Sequence, residues 1–368
     1  MKAYLDELAS LEPFEQFQNP EKLPKKPKHR FPLLKLPRLV LLNCIENLDV
    51  LEIILFSLLS KRAKSVSKHI ARSDLDIRLR MTYLNQIGLR FPSVPNREWI
   101  VDYNRKKNFI PEFAFDVFGS KVNHYLVLKD SGNVIEDIKQ MVEHICEVFR
   151  SPICGIDIVE ESLIEWIMNF QPTIRYACIR NEVVTSVENL DCIMKSLKVT
   201  EHFVLESIGT DKEIRSIEPI PYRSISIFSS YWLTLPAILN GTNYIIRLYD
   251  SKLTPKDINT ILKEWHKGSK LCNLEYLQIQ AYTLPDINSY VEVLEDLNLT
   301  GSDGNDGRPM TVKIHDEWTY TLPEVESVHN LIREDGMIGS VFPSVTMNEE
   351  NGEIIDVFFN FQVWSKQA

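Results

Sequence analysis

The chain has no Cys-x-x-Cys pair, no apolar run of the ~18 residues a membrane span needs, and no excess of basic charge. Each absence removes a class of protein. Six scattered cysteines (Cys44, Cys146, Cys154, Cys178, Cys192 and Cys272) make neither a disulfide framework nor a zinc ribbon, and read as reduced core thiols of an intracellular protein. With 41 Lys and Arg against 51 Asp and Glu, the net charge of −10 argues against general nucleic-acid binding, which needs a basic face for phosphate. Met1-Lys2-Ala3-Tyr4-Leu5-Asp6-Glu7 lacks the basic-then-apolar layout of a signal peptide. The expected location is therefore cytoplasmic and/or nuclear, with the sequons at Asn240 and Asn298 unused.

Catalytic patterns are missing as well. The eight histidines form no His-Glu-x-x-His or other paired-ligand spacing, and Gly-x-Ser-x-Gly is absent. His315-Asp316-Glu317 contains His-x-Glu, but no Pro-Cys-x-x-Cys follows, so a zinc deaminase is excluded. The loop Gly301-Ser302-Asp303-Gly304-Asn305-Asp306-Gly307 misses the calcium-loop spacing and reads as a connection between elements. Glu160-Glu161 and Glu349-Glu350 are adjacent in sequence and read as solvated. No enzyme, cofactor or metal is expected.

What the chain does have is an apolar surplus near its start. Pro37 stands where a helix would begin, a position that tolerates its missing N–H. Leu41, Ile45 and Leu48 follow at helical spacing. Asp49 and Glu52 form a capping box for a second helix, whose Leu51, Ile54, Leu55, Leu58 and Leu59 make one broad face. Ile53 and Phe56 lie off that face, so the helix is apolar on more than one side. A third helix begins at Lys61, with Ala63, Val66 and Ile70 on one face. Such a surplus on a small helical unit is normally covered by another protein or by the rest of the chain. The basic, proline-broken run Lys22 to Arg30 reads as a solvated arm, with nuclear import or an acidic partner as alternatives.

Phe31-Pro32-Leu33-Leu34-x-Leu36-Pro37, then Leu39-Val40-Leu41, then Ser57-Leu58-x-Ser60-Lys61-Arg62 resembles an F-box of the form found in nematode F-box proteins. One departure is Val50, where such sequences often carry proline. The resemblance implies docking on a Skp-type adaptor through Leu33, Leu36, Pro37, Leu41, Ile45, Leu55 and Leu58, and through the adaptor on a cullin.

Beyond residue 120, β-branched runs alternate with helical patterns. Strands are expected at 123–128, 155–159, 173–179, 202–206, 224–228, 244–248 and 274–279. Helices are expected at Val134–Phe149 and from Pro255, capped by Thr254 and stopped by Gly268. Alternation implies mainly parallel pairing. The strand spacing is in the range of leucine-rich and related solenoids, without their consensus. A doubly wound sheet is the alternative, but its Gly-rich phosphate turn is missing. Ser340–Met347 and Glu353–Trp364 read as a hairpin through Asn351-Gly352, placed to close the array.

Leu253-Thr254-Pro255-Lys256-Asp257-Ile258-Asn259, Leu262-Lys263-Glu264-Trp265 and Leu274-Glu275-Tyr276-Leu277 resemble the F-box associated domain of type 2. The expected fold class is α/β: a small three-helix F-box, then an irregular leucine-rich-repeat-like α/β array closed by a C-terminal β-hairpin. Expected boundaries are an arm at 1–30, the helical module at 31–72, a linker or packing region at 73–119, and the α/β domain at 120–368. The two resemblances imply a substrate-recognition subunit of a cullin-RING (SCF-type) ubiquitin ligase that binds an unidentified target protein. A stand-alone scaffold and an α/β enzyme, for instance a hydrolase, are the alternatives. Tyr176, Arg180, Phe228 and Arg247 lie at or near expected strand ends and read as structural, with target contact as the second reading.

Overall fold

The computed structural model describes residues 35–70, 74–81, 85–104, 112–129, 131–181, 183–185, 187–208, 218–284, 287–302, 307–315, 318–322, 328–347 and 354–365. The chain divides into two units, Met1–Asn47 and Leu48–Ala368. Leu33, the Lys22–Arg30 run and the Asn351-Gly352 turn lie outside the described residues.

In the first unit, α1 (Arg38–Ile45) starts one residue later than the sequence implies, because Pro37 is extended (ψ 146°) and serves as N-cap. Its carbonyl accepts from the Leu41 N–H at 2.9 Å.

The second unit begins with α2 (Val50–Leu58) and α3 (Lys61–Ile70). The expected capping box is formed: the Glu52 N–H donates to Asp49 Oδ1 and the Asp49 N–H to Glu52 Oε2, both at 2.9 Å. Leu48, expected on the first helix, precedes α2 and packs against the main core.

Residues 73–119, expected as a linker or packing region, carry four strands: β1 (Asp76–Arg80), β2 (Gln86–Arg90), β3 (Arg97–Asn104) and β4 (Glu112–Phe118). β1 and β2 are short and each offers only two apolar side chains in alternation, Ile77 and Leu79, and Ile87 and Leu89. There follow β5 (Lys121–Lys129), α4 (Val134–Phe149), β6 (Ile153–Ile158), α5 (Glu161–Phe170), β7 (Thr173–Ile179), α6 (Val187–Ser196) and β8 (Lys198–Leu205). Next come β9 (Ser224–Ile227), α7 (Leu235–Leu239), β10 (Ile245–Ser251), α8 (Pro255–His266), β11 (Tyr276–Ala281) and α9 (Ile287–Val293). The chain continues through β12 (Thr300–Ser302), β13 (Thr311–His315), β14 (Trp318–Thr321), β15 (Val328–Ile332), β16 (Ile338–Met347) and β17 (Ile354–Trp364).

Fifteen of these strands form one sheet, ordered β12-β15-β16-β17-β11-β10-β9-β8-β7-β6-β1-β2-β3-β5-β4. The centre, from β1 through β6 to β11, is parallel, as strand–helix alternation requires. The β16–β17 hairpin adds antiparallel to β11, but it does not close the sheet, because β15 and β12 continue beyond it. Alternate strand residues such as Ile156, Ala177, Phe203, Ile225, Ile246, Leu277 and Phe359 enter one core with the helices, and that core includes Val50, Leu51, Ile53 and Ile54 of α2. The other face carries Asp157, His202, Ser224, Ser226, Arg247, Gln278, Asn360 and Gln362. A doubly wound sheet would be apolar on both faces; the second face of this one is largely polar, apart from a local apolar patch of Ile245, Tyr276, Val328 and Phe342.

α8 shows how local signals fix an element. Thr254 accepts from the Asp257 N–H at 3.2 Å, and the Asp257 carboxylate accepts from the Thr254 N–H at 2.8 Å. Ile258, Ile261, Leu262 and Trp265 are buried, and Gly268 ends the helix at φ 69°. Cys44, Cys192 and Cys272 are exposed, whereas Cys154 and Cys178 are in the interior, so only part of the cysteine set is core. No helix among the described residues is long and apolar enough to cross a membrane.

Candidate binding surfaces

Two kinds of surface stand out: apolar side chains left outside on the N-terminal helices, and the polar, helix-free face of the sheet.

On α1, Leu41 and Ile45 are buried, although the sequence reading makes them contact residues. The apolar surface that a partner could reach there is Leu39, 76 % exposed, and Val40. Leu36 is half-buried and Pro37 exposed. On α2 the inner face is Val50, Leu51, Ile53, Ile54, Phe56 and Ser57. The off-stripe Ile53 and Phe56 are therefore core, while Leu55 is half-buried and Leu58 and Leu59 are 47 and 70 % exposed. Leu39, Val40 and Leu59 are absent from the sequence-based contact set, although an apolar residue on the side opposite the buried stripe is a readable signal.

α2 and α3 are tied to α4. Ser57 Oγ donates to the Ile54 carbonyl and lies 2.6 Å from His144 Nε2. Burial, reinforced by the charge of Lys64, holds His144 below the usual histidine range. Lys64 and Lys68 both pair with Glu147, and their hydrogen bonds bring its carboxyl down to about 2. Since Glu147 is half exposed, these pairs orient the helices more than they stabilise them.

The helix-free face collects Tyr176, Arg180, Phe228 and Arg247. Gly155, Tyr176, His202 and Ser224 are consecutive partners across β6 to β9, and Ser226, Arg247, Gln278 and Asn360 across β9, β10, β11 and β17. Arg180 bridges Asp157, at 3.2 Å, and Glu206. Burial pushes the Asp157 carboxyl up, against the pull of that guanidinium. Gln278 joins Arg247 Nε at 2.9 Å to Asn360 Oδ1 at 3.2 Å, and Tyr276 donates to the same oxygen at 2.8 Å.

The β13–β14 hairpin, a separate two-stranded sheet, lies over part of this face. Val312, Ile314 and Leu322 make a small second core with Ile245, Tyr276, Val328 and Phe342. Trp318 and Tyr320 flank the Arg247 guanidinium, with ring centroids 4.6 and 5.3 Å away. His315 stacks 5.4 Å from His202. The sequence places none of this, because contacts between β13 and β8 span more than a hundred residues. Beside the hairpin, Arg78, Arg80, Asp157, Tyr176 and Arg180 line an open groove of about 240 Å³. Farther across the sheet, level with Arg180 at the C-terminal end of the parallel strands, Phe228 stacks on Tyr249 at 4.6 Å, and Phe358 stands edge-on to Tyr249 at 6.0 Å.

These groups can hydrogen-bond, ion-pair and stack. His202 Nδ1 lies 2.6 Å from Ser224 Oγ, which is the spacing of an activated hydroxyl, yet both residues are sealed from solvent and His202 Nε2 has no hydrogen-bond partner. A working triad would need an orienting acceptor there and substrate access. Among the described residues, no three His, Cys, Asp or Glu side chains come together as a metal site. His266, at the end of α8, is 3.0 Å from the Ile332 carbonyl, a structural contact at a helix C-terminus.

Comparison with family models finds an F-box domain over residues 33–72 and an F-box associated domain over residues 213–279. No curated protein and no solved structure matches the chain. The F-box match covers α1, α2 and α3. The second match runs through β9, β10 and α8 into β11, the strands that carry Ser224, Arg247 and Gln278.

Proposed function

We propose that this protein is a non-enzymatic substrate-recognition subunit of a cullin-RING (SCF-type) ubiquitin ligase, of the arrangement found in nematode F-box proteins. The observation that carries this reading is the presence of an F-box domain and an F-box associated domain, in that order, on one chain. The F-box helices dock on a Skp-type adaptor, and through it on a cullin. The exposed Leu58 and Leu59 and the half-buried Leu55 supply apolar contact on α2, and Leu39 and Val40 supply it on α1. The helix-free face of the sheet holds a target protein by hydrogen bonds, ion pairs and stacking. The ligase then gains rate from proximity, and this chain contributes no covalent step. The protein acts in the cytoplasm, the nucleus or both.

A stand-alone scaffold is the second reading, because α2 packs its inner face into the main core as an ordinary subdomain would. The apolar residues left outside on α2 favour the adaptor. Deleting the F-box would strip Val50, Leu51, Ile53 and Ile54 from that core, so substitution of exposed residues is the cleaner test. Full-length protein co-expressed with a Skp-type adaptor should co-elute with it in size-exclusion chromatography. Leu58→Asp/Leu59→Asp should elute alone with an unchanged circular dichroism spectrum. A wild-type protein that ignores the adaptor returns the assignment to the scaffold.

A further inference from the structure

The strand at one end of the sheet, β4, leaves its apolar side chains in solvent. Phe113, Phe115 and Val117 alternate along it and are 56, 69 and 61 % exposed. Large contiguous apolar exposure of this kind marks an interaction site more often than chance. The register identifies the side of the sheet on which it lies. Phe113 faces Leu126, and Leu126 pairs with the core residue Val101 of β3, so the stripe belongs to the side that helices cover elsewhere.

α2 packs on β3, and its N-terminal end stands beside the stripe. Asp49, Leu51 and Glu52 wall a groove of about 210 Å³ against Phe113 and Phe115, with His124 behind them. An apolar floor bounded by a helix on one side is the seat of one more helix in the same layer. The wall is also the start of the proposed adaptor contact. Glu52, Leu55 and Leu59 lie at i, i+3 and i+7, on one flank of α2. A protein seated on Leu55 and Leu59 therefore has its adjoining surface over Phe113 and Phe115. A second copy is the competing occupant, and it has no such continuity with the exposed leucines of α2 to favour it.

We propose that the groove between α2 and β4 is a second contact for the Skp-type adaptor, filled by an apolar helix face and continuous with the exposed leucines of α2. The inference rests on the adaptor-binding reading above.

The test is calorimetric titration of the full-length protein with purified adaptor, alongside hydrogen exchange with and without it. Both phenylalanines are exposed, so Phe113→Ser/Phe115→Ser should keep its fold, which a thermal melt checks. The expected results are adaptor affinity weakened about tenfold or more and slowed exchange of the β4 amides in the wild-type complex. Wild-type binding with unchanged affinity in the double variant and unchanged β4 exchange overturns this inference while leaving the adaptor reading intact. Absence of wild-type binding overturns both. A wild-type dimer that Phe113→Ser/Phe115→Ser dissociates also overturns it, and gives the stripe to a second copy. Should the variant fail to fold, exchange of β4 in the wild-type complex decides alone.

Discussion

His202 is a titratable side chain enclosed by Tyr176, Ser224, His315 and Trp318. Burial, followed by the charges of His315 and Arg247, lowers its pKa to about 3. Unfolding returns the group to the ordinary histidine value of 6.5, so between these values the unfolded chain binds more protons than the folded one. The contribution of a neutral His202 is thus complete above about pH 6.5 and is lost as the pH falls toward 3. By pH 5 it should remove about 2 kcal/mol of stability. Urea titrations at pH 7.5 and 5 should show that loss, and His202→Phe should reduce it. An equal pH dependence in the variant would assign it to other groups, His144 first. Nothing at residue 202 in the sequence distinguishes this histidine from the other seven. Its enclosure depends on Ser224, twenty-two positions away, and on the hairpin that carries His315, so it is a property of the fold.

Elements whose signals are local were legible in the sequence. β7 has its expected limits, and α8 its expected cap, face and stop, because a capping box, a periodic face and a terminal glycine all act within a turn or two. β1 and β2 were not legible. Each is five residues long with only two alternating apolar side chains, and β1 pairs with β6 across more than seventy residues. β4 was readable in principle, since Phe113, Phe115 and Val117 alternate, but on an edge strand that alternation exposes them. Where elements meet, one atom can decide the fit. The Phe361 ring lies over Gly339 and meets Trp265 of α8 edge-on at 4.9 Å. A Cβ on Gly339 would penetrate the Phe361 ring and stand 2.9 Å from Trp265 Cζ3. Gly339→Ala should therefore lower stability by ~1–3 kcal/mol through overpacking, read as a shift in the denaturation midpoint at unchanged slope. An unshifted midpoint would mean that the hairpin and α8 can separate freely.

At the scale of the whole molecule, α2 and the sheet are joined by one core. Native-state hydrogen exchange should therefore find the α2 amides opening together with those of β7 to β10; a distinctly easier opening of α2 would show that it folds on its own. The order of the chain and the presence of two matching domains were legible from short motifs. The two-sided character of the sheet, apolar under helices and largely polar on the face that carries the hairpin and its small second core, was not, because it emerges only when distant strands are laid in register. The shared core has a further consequence under the proposed ligase role. A receptor tethered by a flexible linker would spread its cargo over a volume set by linker length, and the local concentration of cargo at the transfer site would fall accordingly. With α2 built into the same core as the strands proposed above to hold a target, that dilution would be absent, and the bearing of the cargo would be set by side-chain packing. Which lysines of a target come within reach is then a matter of the angle at which α2 crosses β3.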